Sequence, residues 1–158
     1  MEQYAAFWKR LIAVVIDGII IGIVQTFVFV PILGALGFGF FSKMEEMQSA
    51  DPDAALGLVG AIVAALGAVW VLAMVIQVLY FSFMESSKTQ ATLGKMVLGI
   101  IVTDTNGAPL NFSKALVRNL CRLLSNCTML IGYVIAAFTA KKQALHDIIA
   151  GTLVVNKA

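Results

Sequence analysis

AALGLVGAIVAALGAVWVLAMVIQVLYFSF, residues Ala54–Phe83, is thirty residues without one Asp, Glu, Lys, Arg or His. A helix needs about 20 such residues to cross a bilayer. At about 45 Å if fully helical, this one tilts, kinks or leaves the hydrocarbon at one end, where Tyr80, Phe81 and Phe83 mark the exit. The whole chain shares the bias: 60% of its 158 residues are apolar and 13% charged, against about 45–50% and 25% in soluble domains. Disorder is excluded and a membrane protein is implied. A net charge of +2 and the lack of any aromatic-and-basic ladder argue against nucleic acid.

Upstream, Leu11 to Val30 forms another apolar segment, led by Lys9 and Arg10 and by the interfacial aromatics Tyr4, Phe7 and Trp8. Pro31 and the glycines Gly34, Gly37 and Gly39 are expected to end it. Asp17 interrupts the segment and no small-x-small site precedes Phe27, so a cleaved signal peptide is not expected. The connection from Ser42 to Asp53 sets Lys43 against Glu45, Glu46, Asp51 and Asp53, a sum of −3. Residues 85–122 are the opposite: Lys88, Lys95, Lys114, Arg118 and Arg122 outnumber Glu85 and Asp104 for a sum of +3. The positive-inside rule then places this stretch and the N-terminus in the cytoplasm and the acidic connection outside.

Ile100 to Asp104 is β-branched and runs into Asn106-Gly107, the pair favoured in tight turns. A second short strand, Thr152 to Val155, follows the stop signal Gly151 and could pair with Ile100 to Thr103 if both lie on one side. Asn111 or Ser113 can cap a helix in which Lys114, Arg118 and Arg122 form a cationic stripe. The last apolar segment, Leu123 to Ala140, is only eighteen residues. One crossing would strand Lys141, Lys142 and Lys157 outside. A re-entrant element over 113–140, broken near Ser125 to Thr128, keeps both basic flanks on one side. The expected fold is therefore an all-α membrane protein forming one domain over residues 1–158. Its helical bundle has two full spans (about 11–30 and 54–83), a third short or broken element at 113–140, and a small cytoplasmic β-hairpin or strand.

Asp17 is the most informative side chain. An unpaired carboxylate within a span costs up to about 2.5–3.5 kcal/mol. Arg10 and Asp17, seven apart, share a helix face, and Gln25 continues the polar line. Direct pairing across two turns is strained, so each requires a partner elsewhere, with Arg118, His146 and Lys95 as candidates for Asp17. Such a carboxylate is either a proton or cation site or a register-fixing ion pair. His146 beside Asp147 can gate by pH or act as a cap. One histidine and two cysteines, Cys121 and Cys127, on different helix faces fit neither a zinc site nor a disulfide, and no metal or cofactor is expected. Gly94-Lys95 fails as a phosphate loop, since Thr89 and Met96 stand where Gly and Ser or Thr are needed. The glycosylation patterns at Asn111 and Asn126 are accidental. Gly18, Gly22, Gly60, Ala64 and Ala68 recur at four-residue spacing as surfaces for close packing, within one chain or between chains. No nucleophile and base can be assembled, so an enzyme is not expected.

The chain resembles the RDD family of small bacterial membrane proteins, named for one arginine and two aspartates. The resemblance rests on Trp8 to Asp17, Ala91 to Met96 with Val102 to Asp104 and Asn106-Gly107, Ala115 to Asn119, and Gln143 to Asp147 with Ala150 to Thr152. It implies that Arg10 and Asp17 are the arginine and the first aspartate, with Asp147, or in competition Asp104, the second. It also implies a small transporter of cations, by cation/proton antiport in some members, or of another small polar ligand. Three membrane elements scarcely enclose a path, so a homo-oligomer is expected. The competing class is a non-catalytic membrane adaptor or accessory subunit that holds a partner protein or anionic lipid.

Overall fold

The computed structural model describes residues 4–47, 52–127, 139 and 141–157. Its elements run α1 (Phe7–Met47), α2 (Pro52–Ser86), α3 (Leu93–Val97), β1 (Ile100–Asp104), α4 (Phe112–Cys127), α5 (Leu145–Ala150) and β2 (Thr152–Asn156). The chain divides into two compact units, one of residues 1–19 with 77–158, the other of residues 20–76.

The second unit consists of the apolar lengths of α1 and α2. Both helices contain a candidate membrane span, Phe7–Met44 and Ala55–Ser86. Large apolar side chains point outward along them, with Phe27 79%, Phe38 78% and Trp70 62% exposed, which suits acyl chains and not water. The expected stop at Pro31 does not occur, because α1 carries Pro31 inside it and continues to Met47. Proline forfeits one backbone hydrogen bond, whereas unwinding a turn among apolar groups would leave several unpaired at several kcal/mol each. The acidic connection is accordingly shorter than residues 42–53, since helix occupies both of its ends. Gln25 donates to the Ala73 carbonyl at 3.0 Å, tying α1 to α2. A Cβ added at Gly22 or Gly60 would meet nothing within 4 Å, so neither glycine serves close packing within this unit.

In the first unit, β1 and β2 pair antiparallel, Ile100 opposite Asn156 through Asp104 opposite Thr152. The strand pairing read from sequence is therefore present. The N-terminus extends it, with Ala5 N–H donating to Val154 O at 2.9 Å. Ile100, Val102 and Val154 form a core with Ala5, Ala13, Leu110 and Ala115. After β1 the turn is held by Asp104, whose Oδ1 accepts from the Asn106 and Ala108 amides at 2.7 and 2.9 Å, while Gly107 takes φ +81°. Asp104 is thus a turn residue.

Asn111 caps α4 by accepting from the Lys114 amide at 2.8 Å. This helix is amphipathic in an inverted sense. Ala115, Arg118, Asn119 and Arg122 are buried, while Phe112, Val117 and Leu120 are exposed. The third membrane element is not confirmed: Ser125 to Cys127 are still helical, and most of residues 128–140 lie outside the described residues.

Candidate functional site

Asp17 lies on the inner face of α1 and is fully buried. Its Oδ2 accepts from the Thr92 hydroxyl at 2.5 Å, and its Oδ1 from the Gly94 amide at 2.8 Å and the Tyr80 hydroxyl at 3.3 Å. Tyr80 in turn accepts from the Leu93 amide at 3.4 Å. Thr92 is the N-cap of α3 but makes no capping bond of its own. Asp17 therefore caps α3 from another helix, supplying the negative charge that the first amides of a helix favour. The geometry depends on Gly94, where a Cβ would sit 2.3 Å from the Ala13 carbonyl oxygen. Among the described residues the three donors to Asp17 are thus a hydroxyl, a phenol and an amide. The partners expected from sequence, Arg118, His146 and Lys95, are engaged elsewhere.

They belong to a buried chain of alternating charge. Arg10 donates to Asp147 Oδ2 at 2.6 Å and to the Val154 carbonyl at 3.2 Å. Arg118 joins both acids: its Nε reaches Asp147 Oδ1 at 2.8 Å and its Nη1 lies 2.5 Å from Glu85 Oε2. Glu85 also binds the Lys95 ammonium and accepts from Asn119 Nδ2 at 2.9 Å. Asp147 further accepts from the Ala144 amide at 3.2 Å, at the start of α5, and α5 ends at Gly151 in the left-handed conformation, φ +59°. The order is Arg10, Asp147, Arg118, Glu85, Lys95. His146 sits beside it, Nε2 3.6 Å from Asp147 Oδ1, and Arg122 stacks over the Phe81 ring at 3.8 Å.

Burial sets the titration of these groups. It pushes His146 down to about 3 despite Asp147, so the imidazole is neutral at physiological pH. Burial lowers Lys95 to about 8, with Arg118 and Arg122 adding to the shift and Glu85 opposing it. Burial would raise Asp147, but Arg118, His146 and Arg10 overcome it and hold the carboxyl well below the usual carboxylate range. Lys95 is therefore the group that changes charge nearest to neutrality. Over the chain lies a small cavity that admits water centres over about 30 Å³, room for two or three waters. Arg10, Lys95, Arg118, Arg122 and His146 face it, with Phe7, Leu11 and Val14 as an apolar wall. Among the described residues no three His, Cys, Asp or Glu side chains are grouped as a metal would need.

The profile of the RDD family matches residues 4–151. The chain belongs to the RDD family. It is 33% identical to the Bacillus subtilis (strain 168) protein described as "Uncharacterized protein YxaI", over 99% of this chain and 100% of that one. It is 28% identical to "Uncharacterized membrane protein YteJ" of the same organism, over 99% of this chain and 83% of that one. No solved structure matches. Family and spans together make this RDD protein a membrane protein with two candidate spans and a lipid-contacting apolar surface.

Of the residues singled out in sequence, the fold brings together Arg10, Arg118, Lys95, His146 and Asp147. Asp17 forms a separate cluster, and Gln25 belongs to the other unit. Glu85, Asn119, Thr92 and Tyr80 were not foreseen. Glu85 carried a usable signal, since it is the first charge after the 31 uncharged residues Ala54 to Met84 and lies ten before Lys95. Asp17→Asn should destabilise the protein by roughly 1–3 kcal/mol, because an amide NH2 would be forced against a donor. Thermal unfolding in detergent measures this, and an unchanged midpoint would refute the capping role.

Proposed function

We propose that this RDD protein is a small transporter in which the chain from Arg10 to Lys95 handles a small polar ligand and Lys95 carries the coupled proton. The observation that carries the reading is the cavity faced by four basic side chains, of which Arg10, Arg118 and Lys95 belong to the buried chain of five charges. A purely structural element gains little from such a chain, since well-packed apolar residues are often as stable. Four cations outnumber the two carboxylates paired with them, and neither carboxylate lines the cavity, so a polar ligand with negative character suits it better than the cation of a cation/proton antiporter. Two spans do not enclose a path, which favours a homo-oligomer. Membership of the RDD family favours a bacterial inner membrane, and the charge asymmetry favours an N-terminus in the cytoplasm.

Lys95 is charged below about pH 8 and neutral above it. Uptake of an anionic ligand should then be fastest below pH 8 and fall through that value, while Lys95→Arg should flatten the profile because arginine does not titrate there. Flux into proteoliposomes under an imposed pH gradient, with Na⁺, K⁺ or phosphate outside, tests both. Flux of Na⁺ or K⁺ alone would restore the antiport branch.

A second reading, a non-catalytic membrane adaptor, is favoured by the hydrogen-bonded state of Asp17 and by the exposed apolar residues Val97, Leu120 and Ile149 on the short helices α3, α4 and α5. Vesicles that move no solute, with a partner protein retained in fixed ratio, would select it.

A further inference from the structure

We infer that the cavity between α1, α3, α4 and α5 is a binding site for a compact oxyanion of the phosphate class, taken either as free phosphate or as the phosphate of a lipid headgroup. Four basic residues line it, Arg10, Lys95, Arg118 and Arg122, and neither Glu85 nor Asp147 is among its lining residues. All four are buried, Arg10 8%, Lys95 5%, Arg118 3% and Arg122 7% exposed, and two carboxylates, Asp147 and Glu85, offset them, so an excess of positive charge that water screens poorly is left for an anion to balance. Among the described residues Arg10 Nε also has no hydrogen-bond acceptor although it is buried, and buried donors are nearly always satisfied. Arginine forks match tetrahedral oxyanions in two-point contacts, and lysine adds a point charge.

Size fits the class, because room for two or three waters is the room a single compact oxyanion group needs. The apolar wall of Phe7, Leu11 and Val14 on α1, whose outer side chains face lipid, suits the glycerol carbons that adjoin the phosphate of a lipid headgroup. Space alone is not the criterion. A larger hollow of about 110 Å³ beside Met96 and Ile100 has Lys157 as its one basic lining residue, and that lysine is exposed.

The inference deepens the transport reading at the same cavity, but binding is measured without flux, so either can fail alone. Full-length protein in nanodiscs of neutral phosphatidylcholine is titrated with inorganic phosphate against chloride at equal ionic strength. A parallel sample contains phosphatidylglycerol. Saturable phosphate binding, weakened about tenfold or more by Lys95→Met or Arg122→Leu and unchanged by Lys157→Gln, supports the site with free phosphate as source. Phosphatidylglycerol retention through purification, lost in the same variants, supports it with the headgroup as source. Two variants are used so that one misfolded protein does not decide the outcome. If neither probe binds the wild type better than chloride or phosphatidylcholine, or if Lys157→Gln weakens binding equally, the site does not exist.

Discussion

Gly94→Ala is expected to abolish most folded protein. The added methyl would lie 2.3 Å from the Ala13 carbonyl oxygen and 3.0 Å from Asp17 Cγ. The first obstacle is backbone within α1, which cannot rotate aside as a side chain would. Relief requires α3 to withdraw, and withdrawal breaks the bonds that Asp17 makes to the Gly94 amide and the Thr92 hydroxyl. Overpacking and two lost charge-assisted hydrogen bonds together cost roughly 3 kcal/mol or more, a large share of a typical folding free energy. Size-exclusion profiles and thermal midpoints in detergent measure the loss. A variant as stable as wild type would show that α3 does not seat against α1 through Gly94.

Asp147→Asn should be nearly as damaging. The substitution leaves Arg10 and Arg118 buried with one acid, Glu85, where two stood, and breaking a buried pair in this way costs roughly 3–5 kcal/mol. Asp147→Glu should restore part of the loss, because charge is kept and only reach changes. The pH dependence has a definite sign. Asp147 titrates well below the usual carboxylate range in the folded protein, so its contribution is fully present above the unfolded value of about 4 and is lost as pH falls through the lower folded value. Wild type should therefore lose stability on acidification below about pH 4 more steeply than Asp147→Asn, which has already lost that contribution. Thermal midpoints of both proteins from pH 7 to 3 measure it, and parallel curves would exclude Asp147 as the linked group.

Much of the fold is legible in local pattern. Uninterrupted apolar length identifies the two long helices, and β-branching with Asn106-Gly107 and Gly151 identifies the two strands and even their pairing. Where local signals misled, the environment overrode them. Pro31 and three nearby glycines are stop signals in water, where freed backbone groups are hydrated, and α1 passes through them. Gly18 and Gly22, whose GxxxG-like pattern marks close approach on average, make none among the described residues of the chain. The close approach is made by Gly94, whose neighbours Lys95 and Met96 drew attention only to a failed phosphate loop.

The candidate site divides in the same way. Arg10, Asp17, Arg118, His146 and Asp147 could be marked because charges and an imidazole among apolar residues are costly wherever they sit. Composition and periodicity thus settle that these groups must be buried in protein and compensated, along with the membrane class and the helical and strand segments. Which group compensates which does not follow, because Arg10 meets Asp147 across 137 residues and Arg118 meets Glu85 and Asp147 from a third helix. Pairing depends on three-dimensional distance, and a side chain on a helix has no local cue to the element that will face it. Only the packed fold could show that Asp17 caps α3 by hydrogen bonds while Asp147, with Glu85, carries the ionic chain.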